Sequence, residues 1–156
     1  MIRLNRMTDY AVVLLVQMGR QPGDVLTAPQ IARAARLPQP TVAKLLKQLA
    51  GAGLVRSQRG AAGGYTLGQS PTEISAAAII TALEGPIALT ACVDGAPAPC
   101  EVETTCPIAG HWNKVNVAIR NALQEVTLAD LLDEPASCQT VAMLLPPYEA
   151  NAASTR

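Results

Sequence analysis

Cys92, Cys100 and Cys106 share one stretch, CVDGAPAPCEVETTCPIAGHW (residues 92–112), with the only histidine, His111, and the only tryptophan, Trp112. Seven residues separate the first pair of thiols and five the second, wider than the ~2–4 residues that usually part paired ligands in structural zinc sites. A disulfide framework belongs to exported chains, and MIRLNRMTDYAVVLLVQMG does not read as an export signal, since Asp9 interrupts its apolar stretch. A catalytic thiol needs a neighbouring base, yet Asp94, Glu101 and Glu103 are anions that oppose thiolate formation, which leaves only His111 to help. Thiolates on a pliable loop restrained by Gly95, Pro97 and Pro99 suit an iron–sulfur cluster. Zinc binding and metal-free thiol sensing stay open beside it. Cys138, in the tail, reads as a bystander.

The elements that must position this loop differ sharply in charge. Formal net charge is zero over 156 residues, but residues 1–60 hold nine Lys/Arg against two acids, a net of +7, and residues 61–156 hold three against ten, a net of −7. A basic module is fused to an acidic one, as expected of a protein drawn to phosphate through one face. With 49% hydrophobic residues, no Phe and four other aromatics, the core must be aliphatic and helical. The apolar runs AVVLLV and AAAII fall far short of the ~18 residues that cross a bilayer, so no membrane association and a cytoplasmic location are expected.

In the basic half, Thr8 is expected to cap a first helix that stops at Gly19, and Thr27 a second, APQIARAAR. The third segment, PTVAKLLKQLAGAGLV, sorts by helical period. Val42, Leu45, Leu46 and Leu49 form an apolar stripe, while Thr41, Lys44 and Gln48 line the opposite face with Lys47 beside them. LVRSQ and YTLG then read as two short strands joined by a Gly-rich turn with Arg59 at its entrance. A polar-faced third helix followed by such a hairpin is the pattern of a winged helix-turn-helix. Gln39, Thr41, Lys44, Lys47 and Gln48 are the candidate base-edge or phosphate contacts, with Arg33 on the backbone and Arg59 at the wing.

MTDYAVVLL, IARAARLPQPTVAKLLKQL and AGLVRSQRGAAGGYTL resemble, in this order, the winged-helix regulators that include IscR and NsrR. EGPIALTAC and the later cysteines are most similar to the regulators of iron–sulfur cluster assembly by the SUF system within that family. The resemblance spans roughly residues 1–132 and implies a cluster, 2Fe–2S or 4Fe–4S, on Cys92, Cys100 and Cys106. It implies two sources for a fourth ligand. IscR-type proteins use a histidine three residues after the last cysteine, where this chain has Ala109, with His111 two residues on. NsrR-type proteins use an aspartate at the start of the first helix, contributed by the partner subunit, and Asp9 matches that position better than His111 matches the other.

The expected fold is mainly α with a small β-wing, a winged helix-turn-helix domain plus a long dimerisation helix. Residues 1–84 form the DNA-binding domain, 85–110 the cluster-binding loop, 111–133 the dimerisation helix and a short final helix starting at Thr127, and 134–156 a loosely ordered tail. PTEISAAAIITALEG reads as a helix capped at Ser70 or Thr72. Trp112, Val115, Ile119, Ala122, Leu123 and Val126 make an apolar stripe that a homodimer would cover. The partners are then double-stranded DNA, at a near-palindromic operator, and a second copy, with no small-molecule substrate. One histidine, no phosphate loop and no CxxC leave no complete catalytic constellation, so an enzyme is not expected. The rival regulators are a metal-free thiol redox sensor and a nitric-oxide sensor of the NsrR type.

Overall fold

Each helix of the basic half has an apolar stripe too narrow to be stable alone, and the stripes converge. In the computed structural model, which describes residues 3–60, 63–102 and 104–133, α1 (Arg6–Gly19), α2 (Ala28–Ala35) and α3 (Gln39–Gly51) pack around Leu14, Leu15, Ile31, Val42, Leu45, Leu46 and Leu49, all fully buried. Burial of each such side chain is worth about 1.5–3 kcal/mol, and the all-aliphatic core expected from composition is the one observed. The α2 capping box forms, with Gln30 Oε1 accepting from the Thr27 N–H at 2.8 Å. Arg36, in the left-handed region at φ 53°, ends that helix and turns the chain into α3.

After α3, β1 (Val55–Gln58) pairs antiparallel with β2 (Gly64–Leu67), Val55 opposite Leu67 and Gln58 opposite Gly64. Leu26 adds a third rung on the far side of β2, exchanging both backbone hydrogen bonds with Tyr65 at 3.0 and 2.8 Å. Gly64 is required there, because a Cβ would lie 2.7 Å from the Leu26 carbonyl oxygen. The result is mainly helical with a small two-stranded wing, as the sequence pattern predicts.

Two helix starts differ from expectation. The first helix is capped by Asn5, whose Oδ1 accepts from the N–H groups of Met7 and Thr8 at 2.7 and 3.0 Å. Thr8 instead lies buried inside the first turn and donates its hydroxyl to Glu84 Oε1 at 2.6 Å, a partner far away in sequence. The fourth helix, α4 (Ala76–Glu84), begins at Ser75 rather than Ser70 or Thr72. Ser70 and Glu73 spend their side chains on a local turn, where the Ser70 hydroxyl and then its backbone N–H hold the Glu73 carboxyl below the usual carboxylate range. Ser75 Oγ takes the Ala78 N–H at 3.1 Å.

Beyond the cysteine loop, α5 (Trp112–Glu125) packs on α4, and α6 (Leu128–Leu132) returns to α1. Thr127 caps α6 as its sequence suggests, reciprocally with Asp130, whose carboxyl is held low by the Thr127 hydroxyl and backbone N–H. Leu128 is fully buried in the same core as α1–α3, and α1 and α6 approach closely at Gly19, where a Cβ would stand 3.0 Å from Leu132 Cδ1. Cys138 and the tail from 134 lie outside the described residues. Leu128→Ala should cost about 2–5 kcal/mol in a single urea transition of the whole head. A loss below about 1 kcal/mol would mean that α6 is not part of this core.

Candidate nucleic-acid interface and cysteine loop

On α3 the buried stripe fixes what faces outward. Lys44, Lys47 and Gln48, at i, i+3 and i+4, are exposed together on the side opposite Leu45, Leu46 and Leu49, and Gln39 is exposed in the first turn. Thr41 sits at the flank of this face and is half-buried. Arg33 is exposed on the last turn of α2, and Arg59 is exposed where β1 leaves the hairpin. Arg56, not among the residues singled out from sequence, is also exposed on β1, next to the buried Val55. A cleft lined by Thr27, Ala28, Gln58, Arg59 and Gly64 separates the start of α2 from the wing.

Among the described residues, the side-chain bonds that anchor the cysteine loop gather at one end. Asn116, on α5 and 2% exposed, accepts from the Leu89 N–H and donates to the Ile87 carbonyl, both at 3.0 Å. One turn earlier, Asn113 Oδ1 accepts from the Asp94 N–H at 2.8 Å. Val93 is buried beside it, and Thr90 Oγ1 stands 3.3 Å from Cys92 Sγ. From Gly95 to Gly110 the hydrogen bonds among the described residues are local turns, such as Thr105 N to Val102 O and Ala109 N to Cys106 O. Cys92, Cys100 and Cys106 are half-buried free thiols, and among the described residues no three His, Cys, Asp or Glu side chains are gathered closely enough to hold a metal ion. The three ligands expected from sequence therefore share a loop but are not brought together.

The entrance of the loop is tied to α1 as well. Glu84, the last residue of α4, places one carboxylate oxygen against both the Asn5 N–H, at 3.1 Å, and the Thr8 hydroxyl. Asp9 follows directly, exposed in the first turn of α1, where a carboxylate also complements the helix dipole. His111 is exposed at the boundary of α5, with Nδ1 3.2 Å from the Ala109 carbonyl oxygen.

A family model described as an iron-dependent transcriptional regulator, Rrf2, matches residues 4–134. The chain belongs to the Rrf2 family of transcriptional regulators. CymR of Bacillus subtilis is 34% identical over 124 residues, covering 78% of this chain and 83% of the relative. A solved structure of that protein, described as the global cysteine regulator, superposes with a TM-score of 0.66 at 31% identity, over 85% of this chain and 97% of the other. IscR of T. potens superposes with a TM-score of 0.60 at 30% identity, over 84% of this chain and 86% of its own. NsrR of Halalkalibacterium halodurans is 27% identical over 146 residues, 93% of this chain and all of the relative.

An Rrf2-family chain of this fold is a DNA-binding transcriptional regulator and not an enzyme. Among the described residues no helix is long and apolar enough to cross a membrane. What sequence reading missed is the pair of asparagines. Asn116 interrupts the stripe formed by Trp112, Ile119 and Leu123, four residues after the first and three before the second. A polar residue of low helix propensity on an apolar stripe is the signal for a buried hydrogen-bonding role.

For the exposed face of α3, Lys44→Ala should weaken binding to an arbitrary duplex and lower the slope of log K against log salt by about 1, as loss of one phosphate contact does. Fluorescence anisotropy across a salt series reads this directly. An unchanged slope and affinity would remove Lys44 from the interface.

Proposed function

We propose that this Rrf2-family chain is a cytoplasmic, iron–sulfur cluster-binding regulator. As a homodimer it reads near-palindromic operator DNA, senses iron–sulfur or redox status, and controls genes of SUF-type cluster assembly. The observation that carries this reading is the three-thiol loop set between α4, which packs on α1 and α3, and α5, which packs on α4, with the backbone on both sides of Cys92 bonded to α5. Three soft thiolate donors among acidic neighbours fit an iron–sulfur cluster by chemistry. Cys92, Cys100 and Cys106 would hold it, with Asp9 of the partner subunit as the better matched fourth ligand and His111 the lesser one. The cluster would be 2Fe–2S or 4Fe–4S. When bound, the cluster supplies a link among the thiolates that is sensitive to iron and oxidants.

The chain's own residues do the rest. Trp112, Val115, Ile119 and Ala122 recur at heptad spacing on α5, and Trp112 and Val115, with Val126 just past the helix end, are about 40% exposed, an apolar face that a second copy covers. Two α3 helices related by the dimer axis then enter successive major grooves roughly 34 Å apart. Gln39, Thr41, Lys44, Lys47 and Gln48 meet base edges and phosphates there, with Arg33 on the backbone and Arg59 at the wing. Closure of residues 95–106 onto Cys92 restrains α5, and the Glu84 contacts carry that restraint to the start of α1.

One observation favours a second reading. The three thiols are free and not gathered, and a relative at 34% identity is CymR, whose structure is described as that of a cysteine regulator. A metal-free thiol sensor on the same fold is the alternative. Anaerobic purification separates the two. The cluster reading predicts a coloured protein with iron and acid-labile sulfide, and loss of both in Cys100→Ala. A colourless, iron-free protein, with zinc or without it, would overturn it.

A further inference from the structure

We propose that Asn116, assisted by Asn113, positions Cys92 as the fixed thiol of the loop, onto which Cys100 and Cys106 close. This rests on the reading of the three cysteines as ligands. Residues 87–94 run as neither helix nor strand, so their backbone groups need partners from elsewhere. Among the described residues, Ile87, Leu89 and Asp94 find them in the two asparagine side chains of α5, at 3.0, 3.0 and 2.8 Å. The three bonds bracket Cys92 on both sides, and Val93, 5% exposed, adds an apolar anchor next to it. Cys100 and Cys106 have no equivalent, since among the described residues the hydrogen bonds of the segment beyond Gly95 are local turns.

The chemistry of the pair is specific. The Asn116 amide presents an acceptor to Leu89 and a donor to Ile87 at once, which neither a carboxylate nor an apolar side chain of similar size can do. Thr90, inside the bracketed segment, keeps its hydroxyl 3.3 Å from Cys92 Sγ; toward a thiolate that hydroxyl is the donor, a contact of the kind that tunes sulfur ligands. Asn116 thus acts on Cys92 through the backbone and, by way of Thr90, on its sulfur. It touches no ligand itself and is a positioning residue.

The test is residue-resolved alkylation of metal-free, reduced full-length protein, using a short iodoacetamide pulse and mass spectrometry of each cysteine. In Asn116→Leu, which keeps the volume and removes both bonds, the Cys92 rate should rise about tenfold, the factor that loss of one or two hydrogen bonds of ordinary net strength gives. Cys100 and Cys106 should stay within about twofold. Asn116→Asp, which keeps only the acceptor, should fall between. Asn113→Ala alters an exposed bond, leaves the core intact, and should raise Cys92 alone by a few-fold; it decides the matter if Asn116→Leu does not fold. Equal Cys92 rates in the wild type and Asn113→Ala, or a rise shared by all three cysteines, would overturn the proposal. Because the measurement is made without metal, a wild-type protein that takes up no iron would defeat the cluster reading and leave the alkylation pattern to be judged separately.

Discussion

The chain leaves its core at α4 and must come back to it, and one short backbone pairing brings it back. Ala76 N–H donates to the Val126 carbonyl at 2.8 Å, Leu128 N–H donates to the Ile74 carbonyl at 2.7 Å, and Ser75 and Thr127 form the bridge between them. Everything from α4 to α5, including all three loop cysteines, is an excursion closed by this clasp. Its two ends are fixed to the same aliphatic core that carries α3, so the excursion is a loop on the reading head rather than a separate lobe on a linker. A loop of that length costs little more closure entropy than a shorter one, whereas the clasp buries Ile74 and Leu128 completely.

Within the excursion, order is uneven. Polar side chains replace the missing secondary structure: Glu84 binds the start of α1, and Asn113 and Asn116 bind the backbone of residues 87–94. The Glu84–Thr8 bond and the two Asn116 bonds are half-buried, so their loss leaves a partner unsatisfied, which makes them costly to break and directional in a way apolar contacts are not. Past Gly95 the fastening stops. On the proposed reading, a loop held at Cys92 and locally turned at Cys100 and Cys106 has one fixed and two adjustable thiols, and closing it would pull on α5.

Much of this was legible in the sequence because period and punctuation are local. The stripe of Val42, Leu45, Leu46 and Leu49, the Thr27 and Thr127 caps and the Gly-rich wing each carry their own signal, and each is found in place. The misplacements share one cause. Thr8 and Ser70 look like caps locally, but Thr8 is taken by Glu84 across the fold, and α4 cannot start until Ser75 because Ile74 is engaged by the returning chain. The role of Asn116 is hidden from local sequence for the same reason, since its partners are Ile87 and Leu89. By spacing alone the apolar stripe of α5 is one surface. In the fold Ile119 and Leu123 line a groove with Ile80 and Leu89, while Trp112, Val115 and Val126 stay exposed.

The relation between the cysteine loop and the reading head is tested most directly by DNA affinity in two states of the same protein. Duplexes selected from a random library, separately by iron-replete and by metal-free full-length protein, are titrated with both forms under anaerobic conditions. If the loop governs the head, the two forms differ in affinity by roughly 5- to 150-fold, the range of ordinary allosteric coupling, and Cys100→Ala behaves as the metal-free form throughout. Equal affinities of an iron-loaded and a metal-free protein for every selected duplex would contradict it.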